Sequence, residues 1–169
     1  MFYRLPRIED EEILRDYVQE HYENGETSIT ASDGLTSMAY SEWVEKIRRN
    51  AEEGDETYGK SLLLLCMDES RLIGLLSVRY ELSREQSEVI GDIGYGVRPS
   101  QRKKGYASAM LKHALDICRD KGKKQVIVGC YKDNLASAKT IQKNGGILLF
   151  EKDNFTKGRL SQYYMIHLH

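Results

Sequence analysis

The hydrophobic pattern of the chain changes its period within residues 89–118, and this change constrains the fold more than any other feature. Val89–Val97 has the composition of a strand, Pro99 prevents further ladder pairing, and a basic loop containing Gly105 follows. Apolar residues then recur at helical spacing: Ala107, Met110, Leu111, Ala114, Leu115 and Cys118. We therefore predict a strand that ends before Pro99 and a helix that begins at Tyr106.

The same reasoning assigns the remaining elements. Helices are predicted at about Ile8–Glu23, Ser41–Glu53 and Asn134–Asn144, with residues 25–39 as a long loop. Strands are predicted at Phe2–Leu5, Leu62–Met67, Leu72–Tyr80, Val126–Cys130, Ile147–Glu151 and Leu160–Leu168. A turn at residues 68–71 predicts an antiparallel hairpin, and the crossover helix predicts a locally parallel pair. The order β-α-α-β-β-β-α-β-α-β-β predicts one α/β domain of the α+β kind, with a mixed sheet, over residues 1–169.

Composition excludes several classes of protein. The 25 Lys and Arg residues nearly balance the 26 Asp and Glu residues, whereas a dedicated nucleic-acid binder is usually basic. Three cysteines without short metal-type spacing predict buried reduced thiols and no metal site. No apolar run approaches the roughly 20 residues that span a bilayer, and the N-terminus lacks a signal-peptide core. We expect a cytoplasmic protein without nucleic-acid or membrane partners.

The loop before the predicted helix has the properties of an anion site. Backbone N–H groups at a helix N-terminus, supported by the helix dipole, suit a phosphate. Arg102, Lys103 and Lys104 lie where they can add positive charge, and Gly105 permits close approach of the backbone. The segment matches neither a P-loop nor the dinucleotide-binding glycine motif.

The strand before this loop offers a second indication of a ligand. In a strand, Asp92, Gly94 and Gly96 share one face, and two of these positions have no side chain. Such a face weakens the strand unless something lies against it. Solvated basic loops and strand bulges explain each feature singly. Their conjunction on about eighteen contiguous residues favours a binding site.

Two segments resemble motifs of a known family. Val97-x-Pro99-x-x-Arg102-x-x-Gly105-x-Ala107 resembles motif A of the GNAT superfamily of acyl-CoA-dependent N-acyltransferases, and Asp92-Ile93-Gly94-Tyr95 resembles the run before it. Asn134-x-x-Ser137-Ala138, followed by Lys143-x-Gly145, resembles motif B. The resemblance covers roughly residues 62–151 and implies a GNAT-like fold.

The resemblance also implies a site for acetyl-CoA as the acyl donor. Backbone groups of Tyr95, Gly96 and Val97 would pair with the pantetheine arm. Backbone amides of one segment would hold the pyrophosphate: Arg102, Lys103, Lys104, Gly105, Tyr106, Ala107 and Ser108. Asn134 and Ser137 would contact the cofactor from the next helix, and Asn134 is equally explained as an N-cap.

Acetyl transfer needs a neutral amine, and a base usually removes its proton. Asp92 is the predicted base, with Glu85 and Glu88 as alternatives, or a water chain. Ile141 stands where many family members have a tyrosine acid, so Tyr131 is the predicted acid. Tyr163 and Tyr164 are alternatives, and a thiolate with a pKa of about 8.5 can also leave without an acid.

The predicted function is transfer of an acetyl group to a primary amine, on a small molecule or a peptide, by direct attack on the thioester. A non-catalytic acyl-CoA-binding module is the alternative. Nucleic-acid binding through residues 102–104 is disfavoured by the net charge of −1. Exposed strand edges near the C-terminus permit a homodimer.

Overall fold

The computed structural model describes residues 1–169 as seven strands and five α-helices. The strands are β1 (Phe2–Arg4), β2 (Ser61–Asp68), β3 (Arg71–Arg79), β4 (Ile93–Val97), β5 (Gln125–Tyr131), β6 (Ile147–Thr156) and β7 (Arg159–His167). The helices are α1 (Glu11–Glu23), α2 (Tyr40–Glu52), α3 (Arg84–Ile90), α4 (Tyr106–Asp120) and α5 (Leu135–Lys143). The predicted mixed α/β order is confirmed, with α3 as an addition. None of these helices combines the length and the apolar composition needed to cross a membrane.

The strands form two antiparallel sheets rather than one. The first has the order β1-β2-β3-β4 and the second has the order β5-β7-β6. Asp68 pairs with Arg71 across the turn between β2 and β3, which confirms the predicted hairpin.

Neighbouring strands β4 and β5 separate almost at once. The backbone N–H of Asp92 donates to the carbonyl oxygen of Ile127 at 2.7 Å, and no ladder joins the two strands beyond this contact. The predicted parallel pair is therefore limited to its first residue. We call the space between Ile93–Val97 and Val128–Tyr131 the wedge.

Helices cover the two faces of the first sheet. Alternate residues of β2 divide between them: Leu63 and Leu65 pack with α1 and α2, whereas Leu64 and Cys66 pack with α4 and α5. We call the α1–α2 side the front and the α4–α5 side the back. Because both faces of β2 are buried, its sequence is a continuous apolar run rather than an alternating one.

Helix α3 lies where the sequence predicted a polar connection. The Oγ atom of Ser83 accepts from the N–H of Gln86, and the Gln86 side chain accepts from the N–H of Ser83. This capping box starts the helix, which then extends to Ile90. As a consequence β4 begins at Ile93 rather than Val89.

Strand β6 is twice as long as predicted and forms the outer edge of the second sheet. Its first residues, Ile147, Leu148 and Leu149, are exposed. The pairing between β6 and β7 slips near residues 152–156, so the end of this hairpin folds back over β5.

The cysteines are free and buried, as their apolar surroundings predict. Burial raises the pKa of the Cys66 thiol to about 11 and that of Cys118 to about 12, and it also raises the pKa of Cys130. All three therefore remain protonated near neutral pH.

Candidate active site

The connection between β4 and α4 presents a run of free backbone donors. The N–H groups of Lys103–Ser108, six in succession, make no backbone hydrogen bond. The run is bounded by Arg102, whose N–H donates to Pro99, and by Ala109, whose N–H donates to Gly105. These donors lie at the positive end of the α4 dipole and suit an anion. We call Lys103–Ser108 the N–H cradle.

Two left-handed residues shape the cradle. Gly105 has φ = +84° and Lys103 has φ = +63°. A side chain on Gly105 would meet no atom within 4 Å, so backbone conformation, rather than space within the protein, requires glycine there. Lys103 adopts an angle that L-residues rarely take, which is typical of functional loops.

Two of the three basic side chains of this loop, which were expected to add charge to the anion site, are bonded within the protein. Arg102 forms two hydrogen bonds of 2.7 Å to Glu26 and donates from Nε to the Val97 carbonyl oxygen. Lys104 donates to Gln101 at 3.2 Å, and only Lys103 is free and exposed. The Arg102 side chain and N–H are thus engaged within the protein, so the cradle begins at Lys103. Sequence reasoning also gave no role to Glu26.

The edge of β4 that faces the wedge carries free backbone groups. The hydrogen bond from Arg98 N to Ile73 O, at 2.9 Å, fixes the alternation: even-numbered residues bond to β3 and odd-numbered residues point away. Tyr95 and Val97 therefore direct their N–H groups toward the wedge, whereas Gly96 is committed to β3. Two of the three implied contacts with an extended ligand fit this geometry.

The edge of β5 that faces the wedge also carries free backbone groups. The hydrogen bond from Lys132 N to Leu160 O commits the even-numbered residues to β7, so Gly129 and Tyr131 point toward the wedge. The carbonyl oxygen of Tyr131 accepts from the N–H of Asn134. An extended ligand with amide groups can therefore bond to both edges as a strand would.

Asp92 does not share the glycine-bearing face of β4, so that premise of its predicted role is wrong. It precedes the strand and is 1% exposed. Its carboxylate accepts from Ser87 Oγ and Ile127 N, each at 2.7 Å, and Lys123 Nζ lies at 3.5 Å. A general base must be within reach of the proton that it removes, and Asp92 is buried beside Ser87 and Ile127. These contacts give Asp92 a structural role instead.

The glycine-bearing face of β4 is covered by the loop of residues 25–39. A Cβ on Gly96 would lie 3.3 Å from the Thr30 carbonyl oxygen, and one on Gly94 would lie 4.0 Å from Ala31. The buried hydroxyl of Ser77, which has no hydrogen-bond partner, belongs to the residue opposite Gly94 in the ladder. The front of the wedge is therefore bordered by this loop.

The predicted acids are engaged elsewhere. The Tyr131 hydroxyl lies 2.7 Å from Thr156 Oγ1, so it points toward the β6–β7 hairpin rather than into the wedge. The hydroxyls of Tyr163 and Tyr164 donate to acceptors in α3 and β7.

Tyr95 supplies a hydroxyl that sequence reasoning missed. Its side chain packs with the back core, and its hydroxyl lies 3.0 Å from Ser137 Oγ in the first turn of α5. Burial raises the pKa of Tyr95 to about 12, so its hydroxyl keeps its proton near neutral pH. No local signal joins Tyr95 to Ser137, because 42 residues separate them.

Asn134 caps α5, as its position predicts. Its Oδ1 atom accepts from the Ser137 N–H at 3.1 Å. At the other end of α5, Asn144 Nδ2 donates to Ser108 Oγ at 3.1 Å, which ties this helix to the cradle. A contact between Asn134 and a cofactor stays a prediction.

Comparison with known proteins decides the family. The family model for the acetyltransferase (GNAT) domain matches residues 2–147. The chain belongs to the GNAT acetyltransferase family. No curated protein sequence matches it.

Solved structures of GNAT proteins share the fold over nearly the whole chain. An acetyltransferase of the GNAT family from Streptococcus pneumoniae has 16% sequence identity and a TM-score of 0.73, covering 99% of each chain. The protein yncA from Salmonella typhimurium has 14% identity and a TM-score of 0.69, covering 99% of this chain and 94% of its own. A ribosomal-protein-alanine N-acetyltransferase from Brucella melitensis has 16% identity and a TM-score of 0.69, covering 99% and 100%.

Within this GNAT acetyltransferase, the two segments that resemble family motifs converge on the wedge. The motif A segment forms β4 and the start of α4, which carry one wedge edge and the cradle. The motif B segment forms α5, whose N-terminus follows the end of β5 at Asn134. The chain is thus an acetyltransferase in which a run of free backbone N–H groups lies beside an unpaired strand edge.

Proposed function

We propose that this GNAT enzyme transfers the acetyl group of acetyl-CoA to a primary amine. One observation carries the proposal: the N–H cradle follows the unpaired edge of β4 after one short turn, and Arg102 immediately before the cradle donates back to the Val97 carbonyl oxygen at the end of that edge. That combination fits a ligand with a pyrophosphate at one end and an amide-containing arm at the other. The yncA structure contains acetyl-CoA as its cofactor, which supports the same ligand here.

The binding residues follow from the free groups. Lys103–Ser108 bind the phosphates through their N–H groups, and Lys103 adds an exposed positive charge. The N–H groups of Tyr95 and Val97 bind the pantetheine arm, with Gly129 opposite them. Bound acetyl-CoA supplies a thioester whose carbonyl carbon accepts a nucleophile.

The amine approaches from the front. That side is bordered by residues 25–39, which cover Gly94 and Gly96, whereas the cradle and α5 lie on the back. The amine must be neutral to attack. Because the Asp92 carboxylate is buried and bonded to Ser87 and Ile127, we assign proton removal to a water chain.

Proton return to the leaving thiol is assigned to Tyr95. The thiol stays joined to the pantetheine arm, so its proton donor belongs on the back of the wedge. The Tyr95 hydroxyl lies on that side beside Ser137, whereas the Tyr131 hydroxyl faces the β6–β7 hairpin. Ser137 orients the Tyr95 hydroxyl and can replenish its proton.

The proposed test has two stages. Calorimetric titration with CoA measures binding, and thiol release from acetyl-CoA measures turnover with a panel of small amines and peptides. The Brucella protein is by name a ribosomal-protein-alanine N-acetyltransferase, so peptides with an N-terminal alanine belong in the panel. No CoA binding would refute the proposal. Binding without turnover on a broad panel would favour a non-catalytic acyl-CoA module.

A further inference from the structure

Glu26 lies three residues beyond the end of α1, where its carboxylate is surrounded by hydrogen-bond donors. Its Oε1 atom accepts from His21 Nδ1 at 3.0 Å and its Oε2 atom accepts from Asn24 Nδ2. The Arg102 guanidinium donates to both oxygens, so the carboxylate accepts four hydrogen bonds. The N–H of Glu26 also donates to the His21 carbonyl oxygen. Because α1 fixes the carboxylate, the carboxylate determines where Arg102 lies.

Arg102 connects the Glu26 carboxylate to both parts of the proposed cofactor site, the edge of β4 and the N–H cradle. Its Nε atom donates to the Val97 carbonyl oxygen at 3.0 Å, at the end of the β4 wedge edge. Its own N–H donates to Pro99 O at 3.3 Å, and the free N–H run starts at the next residue. The guanidinium thus fixes the angle between β4 and the N–H cradle.

We propose that Glu26 is a positioning residue for the pyrophosphate: it holds Arg102 so that the cradle is arranged before the ligand binds. The inference rests on the proposed function, since it concerns the same ligand. A preorganised cradle avoids the cost of ordering the loop on binding. Removing Glu26 therefore weakens the interaction with the phosphates and leaves the interaction with the pantetheine arm intact.

An opposing role for the same contact makes the inference testable. If Glu26 merely sequesters Arg102, its removal frees a guanidinium that can bind phosphate directly. Glu26→Gln would then strengthen CoA binding. The two roles predict changes of opposite sign.

The experiment compares two acyl donors that differ in the phosphates. S-acetylpantetheine has the thioester and the arm but lacks the pyrophosphate and nucleotide of acetyl-CoA. For Glu26→Gln we expect kcat/KM with acetyl-CoA to fall about tenfold, because a neutral amide holds the guanidinium more weakly than a carboxylate does, and kcat/KM with S-acetylpantetheine to change little. Glu23→Gln, which removes an exposed charge at the last residue of α1, is the matched control.

Further variants distinguish a selective defect in phosphate binding from a general loss of folding. Arg102→Lys keeps the charge but loses the paired donors, and it should reproduce the selective defect. The double variant Glu26→Gln/Arg102→Lys should be no worse than Arg102→Lys alone, because Arg102→Lys already removes the paired interaction with Glu26 as well as the bond to Val97. An equal loss with both donors would assign Glu26 to folding alone and overturn the inference, as would tighter CoA binding. A wild-type protein that does not distinguish the two donors would instead refute the proposed placement of the phosphates.

Discussion

Asp92 and Ile127 exchange two hydrogen bonds: the N–H of Asp92 donates to the Ile127 carbonyl oxygen, and the N–H of Ile127 donates to the Asp92 carboxylate, each at 2.7 Å. Asp92 immediately precedes β4, and no ladder joins β4 to β5 beyond this pair, so the pair closes the narrow end of the wedge. Ser87 of α3 and Lys123 complete the surroundings of the carboxylate. The geometry of the wedge therefore depends on a buried anion rather than on a strand ladder.

Asp92→Asn should destabilise the protein by about 1–3 kcal/mol, because an amide NH2 replaces one of the two buried oxygens that accept from Ser87 Oγ and Ile127 N. Urea unfolding measures the loss, and Asp120→Asn on the exposed end of α4 is the control. The shape of the pH–rate profile should not change. A large fall in kcat with unchanged stability would return Asp92 to the role of base.

Gly105→Glu and Gly105→Gln should differ in CoA affinity. Both variants carry the same backbone strain at φ = +84°, and both place a side chain in open space beside the cradle. Only Glu adds a negative charge, which repels phosphate. Calorimetry should give a CoA dissociation constant about tenfold higher for Glu than for Gln, with the difference reduced by salt. Equal affinities would place the phosphates elsewhere.

Tyr95→Phe removes only the hydroxyl beside Ser137. We expect kcat with acetyl-CoA to fall by about 10- to 100-fold, at or below the low end for lost general acids, since a thiolate is a tolerable leaving group. CoA affinity should be unchanged. Tyr131→Phe, which removes the hydroxyl that faces Thr156, should leave kcat nearly unaltered. The reverse ranking of the two variants would restore Tyr131 as the acid.

The stability contributed by Glu26 should depend on pH. Hydrogen bonds from Arg102 lower the pKa of the Glu26 carboxyl from 4.5 to about 2. Since the folded-state pKa is the lower one, the contribution is complete above about pH 5 and is lost as the pH falls toward 2. The free energy of unfolding of wild type should exceed that of Glu26→Gln by about 2 kcal/mol at pH 7, and this difference should shrink below pH 5. A pH-independent difference would contradict the assignment.

Residues within the loop itself predicted the cradle, whereas contacts between residues far apart in the sequence could not be predicted. Pro99 and Gly105 act on their immediate neighbours, so the end of β4 and the start of α4 followed directly from the sequence. Asp92 lies outside β4 because the Ser83–Gln86 capping box starts α3, which extends to Ile90 and shifts the start of β4 to Ile93. That signal was present in the sequence.

The pairing of Arg102 with Glu26 illustrates the other limit. The sequence shows three adjacent basic residues, and it does not reveal which of their side chains face a ligand and which bond within the protein. The partner of Arg102 lies 76 residues earlier, and only the packing of α1 beside β4 brings the two together. Tyr95 and Ser137 meet for the same kind of reason.

The unpaired edges of β4 and β5 also affect the tendency of the folded protein to aggregate. Exposed strand edges are the places where proteins join one another into aggregates, and proteins usually protect them. In the proposed complex, the pantetheine arm of acetyl-CoA covers the edges of β4 and β5. On the proposed binding mode, each bound acetyl-CoA closes the edge through which self-association would begin, so we expect the donor to oppose aggregation as well as to supply the acetyl group.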